Sequence, residues 1–176
     1  MVKSTKETQK GNVILAIDGA TKTGYAVYEN GKIIVSGTMK FRKSVREQTY
    51  GEWVQKMIVK YGITQIVAED VYREHSRMLD NAFYALSKLH GVLMYVNGIN
   101  GLPDVSFINP LIVKRYMIPT VFKQHTREED KQRMICRVTH LGYTLESDKA
   151  DDEADAIGIL LTYLNIHDLP INHPSK

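Results

Sequence analysis

The chain is predicted to fold as an α/β domain on a mixed five-stranded sheet, three antiparallel strands followed by parallel ones, with helices on both faces. Three observations predict this. An early apolar run ends in an acid. An Asn-Gly pair separates the two β-rich runs that follow. The remaining chain alternates short β-rich runs with segments of helical spacing.

The elements follow in order. Asn12 to Asp18 is a mostly apolar run, which suits a buried central strand whose last residue emerges at the sheet edge. Residues 24–29 and 32–39 read as two further strands. Asn30-Gly31 between them predicts a type I′ hairpin, because that turn needs positive φ at both central positions. Residues 44–61 have helical spacing, with Val45, Trp53, Met57 and Ile58 on one face and Tyr61-Gly62 as the stop. Thr64 to Ala68 is a short strand that again delivers an acid, Glu69.

From Ser76 to Val96, Leu79, Ala82, Phe83, Leu86, Leu89, His90 and Leu93 recur at helical steps, a long helix with a wide apolar face. His90 on that face reads as a packed or interface histidine. Val105 to Ile108 is a strand closed by Asn109-Pro110, and residues 110–117 form a short helix. A loop spans Ile118 to Thr126. Thr126 to Glu129 has the form of a capping box and opens a helix to Leu141, which places Cys136 in the core. Lys149 to Asn165 is the last helix, with Ala154, Ile157, Leu160, Leu161 and Leu164 on its buried side. The domain is expected over residues 12–168, with tails at 1–11 and 169–176.

Composition narrows the class. The 176 residues are 43% hydrophobic and 24% charged, which excludes a disordered or fibrous chain. No apolar stretch is long enough to span a bilayer. The polar, Lys-containing start lacks the apolar run of a secretory signal. A single cysteine excludes an internal disulfide and a four-cysteine zinc site, and points to a reducing, cytoplasmic setting. The net charge is only +3, but it is unevenly spread. Residues 1–60 carry 11 Lys or Arg against 5 acids, residues 111–140 carry 7 against 3, and residues 141–176 carry 2 against 7. Basic stretches beside an acidic cluster suit a protein that grips phosphates and holds metal ions, although a patchy solvated surface has the same arithmetic.

The acids form the candidate site. Asp18 and Glu69 end apolar strands, and Asp152 and Asp155 are three apart at the start of the last helix, on one face. Asp151 points elsewhere and is the poorer ligand candidate, although the sequence does not fix whether Asp151 or Asp152 is the third ligand. Converging carboxylates repel and need a cation. Mg²⁺ takes oxygen ligands and keeps waters, and two such ions would stabilise the attacking water and the leaving 3′ oxygen of a phosphodiester. Each acid alone also fits an ordinary role: a turn after a strand at Asp18-Gly19, or helix-dipole preference at Asp151 to Glu153.

Taken together, the motifs resemble those of RuvC-type Holliday junction resolvases of the ribonuclease H-like superfamily. That family opens with Asp-Pro-Gly…Thr-Gly-Tyr. Here the segment reads Asp18-Gly19-Ala20-Thr21-Lys22-Thr23-Gly24-Tyr25, without the proline and one residue shorter. Glu69-Asp70-Val71-Tyr72, the long helix 76–96, Val113-Lys114, Asp130-Lys131-Gln132 and Asp152-Glu153-Ala154-Asp155-Ala156 follow in the family's order. The loop 118–125 departs from it, and the overall likeness is to a divergent, bacteriophage-type member.

The resemblance implies a ribonuclease H-like fold and a metal-dependent endonuclease that cuts four-way DNA junctions. It implies Asp18, Glu69, Asp152 and Asp155 as ligands of Mg²⁺, in a two-metal site with Mn²⁺ as a substitute, and Lys131 as a catalytic phosphate contact. Lys114, Arg115, Lys123 and Arg127 would grip the DNA backbone, and Tyr72 would stack on a base, a contact of roughly 1–3 kcal/mol. A homodimer through helix 76–96 would place one site on each strand to be cut, in a bacterial or phage-infected cell and with no membrane involved. The acids alone are equally compatible with cutting RNA or an RNA–DNA hybrid. A non-catalytic junction binder is disfavoured by the full set of acids. An actin-like kinase is disfavoured by length, since that arrangement needs two related domains.

Overall fold

The computed structural model describes residues 11–19, 22–71, 80–118, 126–146 and 150–174, with residues 80–82 in backbone only. Of the assignments made from sequence, Ala20, Thr21, Tyr72, the helix positions 76–79, the loop residues 119–125 with Lys123, Lys149, nearly all of the tail 1–11 and residues 175–176 lie outside the described residues.

The strands are β1 (Val13–Asp18), β2 (Lys22–Glu29), β3 (Lys32–Lys40), β4 (Gln65–Glu69) and β5 (Ser106–Ile108). They form one five-stranded sheet in the order β3-β2-β1-β4-β5. β1–β2 and β2–β3 pair antiparallel, while β1–β4 and β4–β5 pair parallel. Asn30 and Gly31 both have positive φ, 48° and 89°, so the hairpin turn forms for the reason its sequence predicts.

The helices are α1 (Arg46–Tyr61), α2 (Asp80–Ile99), α3 (Pro110–Met117), α4 (Arg127–His140) and α5 (Asp151–Ile166). The Thr126/Glu129 capping box is formed in both directions. Asn109 caps α3 by accepting from the Leu111 N–H, with Pro110 at the first helical position.

Strand alternation sorts the core into two layers. Val13, Leu15 and Ile17 face α1 and α2, with Trp53, Val54, Leu89 and Leu93. Ile14 and Ala16 face α3, α4 and α5, with Ile157, Leu160, Met117 and Val138. Beyond α5 the chain returns along the hairpin. Tyr28 Oη donates to the Pro170 carbonyl at 2.7 Å, and Asn172 N–H donates to the Gly31 carbonyl at 2.6 Å. Among the described residues no helix is long and apolar enough to cross a membrane.

Three details correct the sequence reading. Val45 is not on the buried face of α1: it belongs to a 3₁₀ turn, Lys43–Val45, and is 40% exposed. Cys136 is exposed rather than core. Met134, Ile135 and Val138 form the buried face of α4, and position 136 falls about 200° from Met134, on the opposite side. The last helix is buried nearly all round, not on one side. It lies across β1 and β2 and is itself covered by α3 and α4, so Ile159 and Tyr163 are buried too.

Candidate metal and nucleic-acid site

The same alternation that builds the core aims the acids. Ile14 and Ala16 face α5, so Asp18, two further on, falls on that side at the end of β1. Val67 faces α5, so Glu69 does likewise at the end of the neighbouring parallel strand. α5 begins at Asp151 above this sheet edge and presents Asp152 and Asp155. The four predicted acids therefore come from three elements to one place.

Their electrostatics record the convergence. Burial raises the Asp18 carboxyl well above its usual range, and the charges of Glu69, Asp155, Asp152 and Asp151 raise it further. Asp155 is pushed up to about 7, first by burial and then by Glu69, Asp151 and Asp152, with Lys114 opposing. Burial also raises Glu69, against the pull of Lys114. Charged carboxylates in this position are unstable without a cation.

Among the described residues no group of three or more acids, histidines or cysteines already stands at metal-holding spacing. The donor set nevertheless fits a hard divalent ion: all of it is carboxylate oxygen, half-buried and mutually repelling. Asp152 is engaged by a cation of the chain itself, with Lys22 Nζ 3.4 Å from its Oδ2.

Of the remaining predicted residues, Lys131 and Lys114 stand near these acids. Lys131 donates to Asp151 Oδ2 at 2.6 Å. That bond holds the lysine above its usual pKa. It also holds Asp151 below its own, outweighing the upward push of burial. Asp151 thus pairs with Lys131 while its charge still acts on Asp18 and Asp155. Lys131, Asp151, Glu128, Gln132 and Ile135 line an open cavity of about 300 Å³. Lys114 bridges to Asp130 at 3.1 Å while its charge reaches Glu69 and Asp155. Arg115 lies on the exposed side of α3, and Arg127 opens α4. His90 stacks on Phe107 at 4.6 Å between ring centroids. Burial lowers its pKa, against Asp70 and the Glu69 backbone, so this helix residue buttresses the strand end that carries Glu69.

Two contributors have no assigned role in the sequence reading. Glu153 is a buried carboxylate, 1% exposed, that accepts from Ser36 Oγ at 2.6 Å and from the Glu146 N–H at 2.9 Å. It ties the first turn of α5 to β3 and so positions Asp152 and Asp155. Its signal was available: position 153 shares a helical stripe with Ile157, Leu160 and Leu164. Gly24 lets β2 pass directly under that same turn. A methyl group there would overlap the Asp152 carbonyl.

No protein-family model matches the chain, and no curated protein sequence matches it. Solved structures do. RuvC from Thermus thermophilus in complex with a Holliday junction substrate superimposes with a TM-score of 0.65 at 16% identity, covering 89% of this chain and 95% of that one. The yeast mitochondrial Holliday junction resolvase Ydc2 gives a TM-score of 0.59 at 15% identity, covering 87% and 78%. Fowlpox virus resolvase with Holliday junction DNA gives 0.50 at 16%, covering 88% and 98%. At this identity the likeness establishes the fold: the chain has the ribonuclease H-like architecture of these resolvases.

Proposed function

We propose that the protein is a divalent-metal-dependent endonuclease that resolves four-way DNA junctions by paired phosphodiester hydrolysis. The observation that carries this reading is the convergence of Asp18, Glu69, Asp152 and Asp155 at one sheet edge, in an architecture shared with junction resolvases. These four acids would hold Mg²⁺, or Mn²⁺ in its place, which supplies an activated water and neutralises charge building on the phosphate. Lys131 and Lys114 stand beside the acids and hold the phosphate there, and Arg115 and Arg127 extend the grip along the backbone.

The decisive variants are Asp18→Asn and Asp155→Asn. Both abolish cleavage and leave junction binding intact or tighter, because each removes repulsion between carboxylate and phosphate. Loss of binding in metal-free gel shifts contradicts this assignment. Lys114→Ala weakens binding to all DNA shapes and lowers the slope of log affinity against log salt by about 1. An unchanged slope removes Lys114 from the phosphate footprint.

A junction offers two symmetric strands, so the reading includes a two-fold homodimer. Support comes from the outer face of α2, where Tyr84, Met94, Tyr95 and Ile99 are all more than half exposed. Tyr84, Tyr95 and Ile99 fall on one stripe of the helix. Tyr95→Asp converts the protein to a monomer in sedimentation and uncouples the two nicks. A variant that still sediments as a dimer places the interface elsewhere.

A further inference from the structure

The basic stretch near the end of β3 has no role in the site described above. Lys22 and Lys40 are direct partners in the β2–β3 ladder. Two like charges opposite one another destabilise a sheet, and the pair stands just past the end of β1, where Asp18 is opposite Gly24.

The face on which they stand is defined by their neighbours. Ser36 and Thr38, alternate residues of the same strand, reach Glu153 and Glu146 on the α5 side. Lys22 reaches Asp152 on that side as well. Lys40 therefore stands next to Lys22 on the side of the acids. The chain then continues through Arg42 and Lys43. Lys40, Arg42 and Lys43 are exposed, and among the described residues none of them has an ion-pair partner. Glu146, the acid reached by this face of β3, already accepts from Thr38.

We propose that Lys22, Lys40, Arg42 and Lys43 form a backbone-gripping track that leads one nucleic-acid arm away from the acids over the β3 edge. Lys114, on α3 after β5, stands on the Glu69 side of the acids, away from β3 in the strand order. The acids are thus flanked by cations on both sides, as a substrate with arms leaving in two directions requires. From Lys40 to Lys43 the extended chain covers about 10 Å, the span of two or three phosphates of one strand. The contacts are to phosphate, so the track adds affinity and salt dependence without sequence preference. This inference rests on the nucleic-acid reading of the site.

The test is fluorescence anisotropy with a labelled four-way junction and a labelled duplex, from 50 to 300 mM KCl, without divalent metal, beside an RNA control and co-sedimentation with phosphatidylserine vesicles. It compares the wild-type protein, Lys114→Ala, Lys40→Gln and the triple variant Lys40→Gln/Arg42→Gln/Lys43→Gln. All three positions are exposed, and equal thermal unfolding checks that the fold is kept. The triple variant is expected to bind both probes at least tenfold more weakly near 150 mM salt. Its salt slope should fall by about 2–3, and that of the single variant by about 1. Wild-type affinity and slope in both variants, while Lys114→Ala lowers the slope, overturn the track and leave the site reading intact. Failure of the wild-type protein to bind any DNA or RNA overturns the site reading and the track with it. Loss of binding to phosphatidylserine vesicles but not to DNA assigns the patch to a membrane surface and overturns the track.

Discussion

Asp155→Asn raises the thermal stability of the metal-free protein at pH 8 while eliminating cleavage. The Asp155 carboxyl titrates near 7 in the folded chain, against an ordinary value of 3.8. An acid whose folded pKa is raised binds more protons folded than unfolded between those two values. The contribution of Asp155 to stability is therefore highest below about pH 4, falls as pH rises through that window, and stays low above 7. At 1.36 kcal/mol per pKa unit the loss is about 4 kcal/mol for the group titrating alone. Asparagine keeps the shape and removes the charge. The variant should gain on the order of 2–4 kcal/mol at pH 8, roughly 5–12 °C in Tm for a chain of this size, and little at pH 4. Divalent metal should stabilise the wild-type protein at pH 8 and the variant much less. Scanning calorimetry at the two pH values checks this. Equal melting temperatures at pH 8 mean that neither burial nor the neighbouring acids penalise the Asp155 charge.

Gly24→Ala has the opposite sign and a comparable size. The added methyl would occupy the place of the Asp152 carbonyl oxygen and approach Glu153 N to 3.1 Å. Neither backbone can step aside. β2 is held in the sheet on both edges, and the first turn of α5 is held to β3 through the bond between Ser36 and Glu153. Overpacking typically costs 1–3 kcal/mol, and backbone overlap belongs at or above the upper end. A fall in Tm of about 6–12 °C is expected. The surviving folded protein should also lose its stabilisation by Mg²⁺, because the displaced turn carries two of the four acids. Gly19→Ala is the control, since a methyl group at Gly19 meets nothing within 4 Å. Equal behaviour of the two variants contradicts the close approach of β2 to α5.

What could be read from the sequence divides along physical lines. Local signals were fully legible. The Asn30-Gly31 turn and the Thr126 capping box depend on a few adjacent residues, and each formed as expected. The acids at strand ends were legible because β-alternation converts position into direction. Tertiary context accounts for the rest. The period of α5 marked one apolar side, but the helix lies between the sheet and two other helices, so its other side is covered too. Glu153 stood beside two candidate ligands and read as a helix-start acid. Only the packing of β3 against α5 supplies Ser36 and makes it a clamp. Gly24 belongs to a recognisable Thr-Gly-Tyr pattern, yet the reason for glycine there is the passage of α5 overhead. Cys136 was a misread period: Met134, Ile135 and Val138 already defined the opposite face of α4.

The most direct measurement is cleavage of an end-labelled four-way junction, with duplex, fork and RNA–DNA hybrid beside it, each with and without Mg²⁺. Paired, metal-dependent nicks in opposing strands of the junction are the predicted result, lost in Asp18→Asn. Cutting of the hybrid alone, or tight junction binding with no cutting under any divalent metal, contradicts the account.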